Sequence, residues 1–214
     1  MLSGGKLAAE PAIKYAVAFF DGQKLCQHAM AAFGHYHPNY DPIKLHKAVC
    51  DANGWLPNAV RFYTGVPDAI HEPMWAPTWS NRILAMKRAG IITTTRPIRY
   101  RTSEVEVAGV RETVVTPQEK GIDVRIALDI VSRAITGQFN VAVIYSQDQD
   151  LSEVVEEVRG ISIRENRWLK VVSAFPSGPN ASSKRGINGT EWYKIDEAAY
   201  NACLDPRDYR PRKA

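Results

Sequence analysis

Short apolar runs alternate with longer segments of helical periodicity along most of this chain. Residues 16–20 (AVAFF) and 140–146 (NVAVIYS) are apolar almost throughout, which is typical of strands buried on both faces of a sheet. Further strands are predicted at 59–65, 170–175 and 191–195. The predicted helices lie at 24–52 in two pieces, at 78–89, up to about 136, at 151–161 and after 195.

This alternation predicts a mainly parallel sheet covered on both faces, because a parallel crossover needs an intervening helix. Residues 91–115 differ, since they are rich in β-branched residues and predict a strand that extends into a projecting hairpin at about 95–115. A chain of 214 residues is long enough for one α/β domain with insertions. We therefore expect a single domain over 1–214, with a core at about 14–205 and a basic tail at about 206–214.

The start of the helix before residue 136 is marked by two competing signals. Thr116-Pro117-Gln118-Glu119 has the form of a capping box with proline at the first helical position. Gly121, two residues later, favours a later start. The sequence leaves both starting points open.

Composition limits the class of protein. The chain is 45% hydrophobic and 23% charged, and no apolar run approaches the roughly 20 residues that span a bilayer. The first residues lack the apolar core of a secretory signal, so we expect a cytoplasmic protein without membrane contact. Three scattered cysteines favour reduced thiols over a disulfide framework. A net charge of +4 is compatible with an anionic partner without requiring one.

Acidic residues follow two of the predicted strands. Asp21 comes directly after the first strand, and Asp148 and Asp150 follow the 140–146 strand. Asp123 lies on the helix face that its apolar neighbours turn towards the sheet. Ligands of open parallel sheets bind beyond the carboxyl ends of the strands, so these acids are expected to converge. Carboxylates in a shared cleft repel one another unless a cation neutralises them, which predicts one or two Mg²⁺ or Mn²⁺ ions.

Each acid also has an ordinary structural interpretation. An Asp after a strand commonly forms a turn, and Asp150 has the position of a helix N-cap. Arg125, Asp129 and Arg133 stand four residues apart on another face of the same helix. We interpret Asp129 as part of a solvated charge ladder with a structural role.

Three segments resemble the NYN family, a branch of the PIN-like nuclease superfamily: 16–25 (AVAFFDGQKL), 119–131 (EKGIDVRIALDIV) and 141–155 (VAVIYSQDQDLSEVV). The middle segment, with Lys120-Gly121-x-Asp123 leading into an apolar helix, is the most specific. The resemblance implies a PIN-like three-layer α/β/α sandwich, acidic metal ligands and ribonuclease activity.

Carried over by position, the family's acids fall on Asp21, Asp123, Asp148 and Asp150, as catalytic residues and metal ligands, and its serine falls on Ser146. The chain departs from the family pattern beside these acids. Lys24 replaces the usual Asn, Gln147 replaces Gly, and Leu151 replaces Phe. An ammonium group at position 24 could occupy a cation position or contact phosphate, so it bears on metal number and substrate choice.

Several further residues are candidates for substrate binding, because Lys and Arg contact phosphate without sequence preference. The candidates are Lys24, Lys120 and Ser146 beside the acids, Arg99 and Arg101 in the hairpin, and Lys184 and Arg185 in the polar 176–190 loop. Tyr100 or Trp192 could stack on unpaired bases, and a solvated basic face is the alternative interpretation of the hairpin. Trp75 and Trp79 mark a core anchor or a contact with a protein partner or a second copy of the chain.

The leading hypothesis is a metal-dependent endoribonuclease acting on RNA, with single-stranded DNA as a second candidate substrate. A catalytically silent PIN-like module that binds RNA or protein is the first alternative, and Lys24 favours it. A phosphatase or nucleotide hydrolase using the same acids is the second. The chain has no Gly-x-x-x-x-Gly-Lys loop of the kind that holds nucleotide phosphates.

Overall fold

The computed structural model describes residues 8–35, 40–107 and 110–211. Strands and helices alternate along these residues in the predicted order. The strands are β1 (Tyr15–Asp21), β2 (Leu56–Val66), β3 (Ile92–Pro97), β4 (Arg99–Val107), β5 (Val110–Gln118), β6 (Val141–Tyr145), β7 (Lys170–Pro176) and β8 (Glu191–Ile195). The helices are α1 (Gly22–Phe33), α2 (Pro42–Asn53), α3 (Trp75–Arg88), α4 (Ile122–Ile135), α5 (Ser152–Arg164) and α6 (Glu197–Ala202).

Six strands form one sheet in the order β3-β2-β1-β6-β7-β8, and every neighbouring pair is parallel. The chain builds outwards from β1 in one direction as far as β3 and then returns to the other side of β1 with β6. The connections therefore leave β1 and β6 towards opposite sides, which opens a crevice at their carboxyl ends. This crevice is where the sequence placed its acidic residues.

Helices cover both faces of the sheet. One apolar cluster joins the sheet to α1, α2, α3 and α6, and the other joins it to α4 and α5. Because side chains of a strand alternate between faces, Phe20 belongs to the first cluster and Phe19 to the second. The Phe20 ring lies 3.8 Å from the Tyr145 ring of the neighbouring strand, nearly parallel to it. The predicted three-layer α/β/α arrangement with a hairpin is confirmed.

The hairpin starts and ends later than predicted. β3 joins the edge of the main sheet, and the antiparallel pair β4–β5 spans Arg99 to Gln118. Thr116 and Pro117 are paired with Arg101 and Tyr100 within it, so the predicted capping box at 116–119 is wrong. Its glutamate instead accepts a hydrogen bond from the Gly65 backbone N–H at the end of β2, and α4 starts only at Ile122.

Asp129 is buried rather than solvated, which corrects the predicted charge ladder. Its side chain is 4% exposed, and its carboxylate accepts hydrogen bonds from Arg61 Nη2 at 2.9 Å and Tyr63 Oη at 2.8 Å. Arg125 Nη2 lies 3.0 Å from its other oxygen. Asp129 follows Ile126 by three residues, so it shares the face of α4 that packs on β2. Its role is structural, as expected, but as a buried ion pair.

No helix among the described residues is long and apolar enough to cross a membrane.

Candidate functional site

The end of β1 positions the first acid. Asp21 is the last residue of β1 and the N-cap of α1, where its Oδ1 accepts the Lys24 backbone N–H at 3.1 Å. The following residue must be glycine, because a Cβ on Gly22 would lie 2.6 Å from Cζ of the Phe62 ring. The Asp-Gly pair therefore lets the chain turn from strand to helix against β2.

The turn after β6 positions the second acid next to the first. Ser146 Oγ donates to Asp21 Oδ2 at 3.5 Å and accepts the Asp148 backbone N–H at 3.1 Å. Asp148 Oδ1 in turn accepts the backbone N–H of Asp150 at 3.2 Å. Ser146 is fully buried, so its predicted contact with substrate is wrong. It joins the two acidic residues instead.

The start of α4 positions the third acid. Gly121 has φ +74°, a left-handed conformation that glycine adopts without strain, and the helix begins at the next residue. Asp123 consequently lies in the first turn of α4, where the helix dipole favours negative charge. The Arg96 guanidinium lies beside this turn, since a Cβ placed on Gly121 would be 3.5 Å from its Nη1.

These elements surround one open cleft of about 430 Å³. Three of the four predicted acids line it. Its lining residues are Asp21, Gln23, Lys24, Gln27, Pro117, Glu119, Lys120, Gly121, Ile122, Asp123 and Asp148. We refer to it as the acidic cleft.

Asp150 does not line the acidic cleft, which corrects the predicted set of four converging carboxylates. Its residue is exposed, and its backbone N–H rather than its carboxylate contacts Asp148. Glu119 takes the fourth place. Sequence reasoning missed it because the capping-box pattern gave it another role, although it stands at the start of the 119–131 segment beside Lys120-Gly121.

Asp21 is the least solvated of these carboxyl groups. It is 2% exposed, and burial raises its pKa to about 7, with Glu119 and Asp148 adding to the increase by charge repulsion. The hydrogen bond from the Lys24 backbone and the Lys24 ammonium oppose the increase only in part. The centre of the cleft therefore lacks enough positive charge to keep Asp21 fully ionised at neutral pH.

The pKa of the Glu119 carboxyl group is raised as well. Burial raises the pKa of its carboxyl group, and the negative charge of Asp123 adds to the increase. The Gly65 N–H and the Lys24 charge lower it without cancelling the effect of burial. Two of the four acids in the cleft thus have a raised pKa.

Lys24 supplies the cation nearest to the acids in the described cleft. Its Nζ lies 3.1 Å from Asp148 Oδ2. Burial alone would lower the pKa of Lys24, but the hydrogen bond and charge of Asp148, followed by the charges of Asp21 and Glu119, raise it. Lys24 therefore remains protonated and neutralises part of the cleft.

The donor atoms of the cleft suit a hard divalent cation, because they are carboxylate oxygens. Their arrangement around Lys24, however, is not that of a preformed metal site. Within 8–35, 40–107 and 110–211, no group of three or more His, Cys, Asp or Glu side chains is placed to hold a metal ion. Two of the carboxylates instead have partners within the protein: Asp148 contacts the Lys24 ammonium, and Glu119 accepts a hydrogen bond from the Gly65 N–H.

The predicted basic residues divide into two groups. Lys120 lines the acidic cleft, whereas Arg99, Arg101, Lys184 and Arg185 do not. The loop that carries Lys184 is nevertheless fastened to the turn after β6. Gln147 Nε2 donates to the carbonyls of Ser183 at 3.1 Å and Arg185 at 2.7 Å.

A second glutamine strengthens this attachment. Gln149 Nε2 donates to the Gly186 carbonyl at 3.0 Å, and its Oε1 accepts the Asn188 backbone N–H at 3.1 Å. Gln147 therefore has a structural function here. It holds a basic loop close to the Asp148 turn.

No protein-family model matches the chain. No curated protein matches it in sequence. Among solved structures, it is similar to a protein of unknown function, VPA0982 from Vibrio parahaemolyticus, with 17% identity and a TM-score of 0.54 over 92% of this chain and 98% of that one. This similarity extends to the fold alone.

Two further matches are weaker. Phosphofructokinase-2 from Escherichia coli is 8% identical with a TM-score of 0.32, over 76% of this chain and 54% of that one. The teicoplanin deacetylase Orf2 is 12% identical with a TM-score of 0.29, over 73% and 65%. Scores this low carry no information about the chemistry of the acidic cleft.

Proposed function

We propose that this protein is a metal-dependent endoribonuclease of the NYN type that hydrolyses RNA phosphodiester bonds in the acidic cleft. The observation that carries the proposal is the meeting of Asp21, Glu119, Asp123 and Asp148 around one open cavity at the carboxyl ends of β1 and β6. The resemblance of segments 16–25, 119–131 and 141–155 to NYN domains supports it.

Asp21, Asp123 and Asp148 are the residues that would hold Mg²⁺ or Mn²⁺. When bound, such an ion activates water and stabilises the charge that develops on a phosphodiester. The raised pKa of Asp21 supports this assignment, because a carboxyl group in that state gains from a neighbouring cation. Ser146 holds Asp21 and the Asp148 turn in register, and Glu119 adds a fourth carboxyl group to the cleft.

Cations at the cleft rim favour a polymeric anion over a small phosphate. Lys120 lines the cleft, and Arg96 lies beside Gly121 at its edge. The loop at 183–188 brings Lys184 and Arg185 to the side of the Asp148 turn. Charges spread in this way can contact several phosphates of one RNA chain, which would bind in a salt-dependent manner.

The proposed compartment is the cytoplasm. All three cysteines are free thiols, and Cys50 and Cys203 are buried. Free thiols are the usual state in a reducing compartment.

The test is cleavage of labelled single-stranded RNA, with single-stranded DNA and a generic phosphomonoester as competing substrates. We expect RNA cleavage in Mn²⁺, none in EDTA, and loss of at least about a hundredfold in Asp123→Asn, the size of effect typical of removing one catalytic group. Asp150→Asn is the matched control, since this carboxylate lies outside the cleft. Equal activity of the Asp123→Asn and wild-type proteins would contradict the proposal, and release of phosphate from the monoester alone would indicate a phosphatase.

A second candidate function rests on one contact. The Lys24 ammonium occupies the side of Asp148 that a metal would need, and the described residues contain no ready-made group of three ligands. A protein in which this ion pair persists would bind RNA at the cleft rim without cutting it. RNA binding that is unaffected by EDTA, with no turnover in Mg²⁺ or Mn²⁺, would establish this alternative.

A further inference from the structure

The acidic cleft adjoins a groove with aromatic walls. A second cavity of about 300 Å³ shares Gln23, Gln27, Pro117 and Glu119 with the cleft. A third cavity of about 420 Å³ shares Trp75 and Trp79 with the second. Because each cavity shares lining residues with the next, the three adjoin one another along a path from the carboxyl groups to α3.

Trp75 is the least constrained aromatic side chain on this path. It is the first residue of α3, it is partly exposed, and it lines both the second and the third cavity. Trp79, one turn later, packs on the core through Phe62, with the Arg82 guanidinium 5.6 Å from its ring centre. Trp79 is therefore held by the core, whereas Trp75 is partly exposed to the cavity.

Tyr100 faces the second cavity from the base of the hairpin. Its ring is stacked on the His71 ring at 3.8 Å and 9°, and His71 Nδ1 lies 2.9 Å from Asp68 Oδ1. In the register of the hairpin Tyr100 is opposite Pro117, which lines both the acidic cleft and the second cavity. Side chains alternate along a strand, so Arg99 and Arg101 lie on the other face of the hairpin.

We propose that this groove binds an unpaired segment of RNA, with one base on Trp75 and a neighbouring base on Tyr100, while the adjoining phosphate enters the acidic cleft. That the bound polymer is RNA rests on the proposed function, whereas the requirement for unpaired bases rests on the groove itself. An aromatic ring can stack on the face of any base. The faces of bases are accessible only where the bases are not already stacked within a double helix.

The wall between the acidic cleft and the aromatic rings carries polar side chains, which a nucleotide requires. Gln23 and Gln27 lie four residues apart on α1, so their amides occupy one face of the helix between the cleft and the aromatic wall. Amides can donate to and accept from base edges and ribose hydroxyls. A groove that combines amides, aromatic rings and an acidic end fits a nucleotide chain better than an apolar protein surface.

The deciding experiment measures binding rather than cleavage. The full-length protein in EDTA is titrated into a labelled single-stranded RNA of mixed sequence and into a duplex of the same sequence, with fluorescence anisotropy as the readout. We expect Trp75→Ala to weaken single-stranded RNA binding about tenfold, with little change for the duplex. Because stacking releases no counterions, the slope of affinity against salt concentration should remain that of the wild type. Trp75→Phe should restore most of the affinity.

Trp168→Ala is the matched control, because Trp168 is also a partly buried tryptophan, lines none of the three cavities, and lies in a separate cavity formed by residues just before β6 and β7. Equal binding by wild type and Trp75→Ala would overturn the proposal, as would an equal loss for duplex and single strand. Loss of self-association in Trp75→Ala without loss of RNA binding would also overturn it, in favour of a protein contact. RNA binding that depends on Trp75, in a protein that does not cleave RNA when Mn²⁺ is added, would support the proposed groove and contradict the proposed nuclease activity. RNA cleavage together with binding that does not depend on Trp75 would support the nuclease activity and contradict the groove.

Discussion

Lys24 Nζ lies 3.1 Å from Asp148 Oδ2, so a side chain from the first turn of α1 neutralises the acid that follows β6. The same ammonium group also lowers the pKa of Asp21 and of Glu119. One lysine thus interacts with three carboxyl groups that would otherwise repel one another. A divalent ion entering the cleft has to displace this ammonium or share the acids with it.

Replacing Lys24 with asparagine, a neutral residue, should strengthen metal binding. The change removes a positive charge from beside the carboxylates and frees Asp148. We expect the Kd for Mn²⁺ to fall about tenfold, equivalent to about 1.4 kcal/mol, in isothermal titration calorimetry. Lys120→Asn removes the same charge from the rim and should have a smaller effect. Unchanged or weaker Mn²⁺ binding in Lys24→Asn would show that the ammonium does not compete with the ion.

Asp21 should make the metal-free protein less stable as the pH rises. Its folded pKa of about 7 exceeds the ordinary value of 3.8, so folding favours the protonated form. The resulting stabilisation is complete below pH 3.8 and is lost as the pH rises to about 7. Asp21→Asn keeps an oxygen that can cap α1 and removes the titration.

Urea denaturation in EDTA at pH 5 and pH 8 tests this. The stability of Asp21→Asn relative to wild type should increase by about 3 kcal/mol between the two values, because about two pH units of the titration lie in this range at about 1.4 kcal/mol each. Glu119 titrates in both proteins, so the difference between them reports the titration of Asp21 together with its charge repulsion with Glu119 and Asp148. A difference that is independent of pH would mean that Asp21 is ionised throughout this range in the folded protein.

Gly121 should be required for the cleft beyond its effect on stability. It has φ +74°, and Gly90 has φ +85° just after α3. A Cβ would meet nothing within 4 Å at Gly90, and at Gly121 it would meet only the Arg96 guanidinium, at an ordinary contact distance of 3.5 Å. Alanine at either position should cost about 1 kcal/mol in free energy of unfolding, because left-handed backbone is strained for residues with a Cβ. Only Gly121→Ala should reduce Mn²⁺ affinity, since it alters the turn that places Asp123. Equal effects of the two variants on Mn²⁺ binding would argue against this role.

Gln147→Gly should loosen the loop that carries Lys184 and Arg185. The variant loses the donor to the Ser183 and Arg185 carbonyls, although Gln149 still contacts the Gly186 carbonyl. We expect faster amide hydrogen exchange in residues 183–188 and weaker RNA binding at low salt, with exchange in β6 unchanged. If exchange in the loop stays at the wild-type rate, the glutamine does not hold it.

The sequence was sufficient to predict the layers of the fold and three of the four acids in the cleft. Uninterrupted apolar runs define β1 and β6, and acids directly after such strands must lie at one edge of a parallel sheet. Asp123 could be placed because its helix has a clear apolar face. These inferences need only the periodicity of single elements and the geometry of parallel strands.

The errors arose where a side chain has a distant partner. Glu119 looked like a helix cap because the pattern around it is local, but its carboxylate bonds to Gly65, 54 residues away along the chain. Asp129 looked solvated because its helical neighbours Arg125 and Arg133 are charged, while its main partner is Arg61 on β2. Such pairings depend on which strand packs beneath the helix, and periodicity does not contain that information.

The junction of β1 with β6 has a consequence for how the protein is made. Asp21 and Ser146 contact each other across 125 positions of the chain. During synthesis, β1 to β3 can associate early, but Ser146, the partner of Asp21, is added to the chain only 125 residues after it. A translation product that stops before β6 contains Asp21, Glu119 and Asp123 but lacks Asp148 and the strand that places it beside them, so premature termination gives a fragment without the proposed nuclease activity.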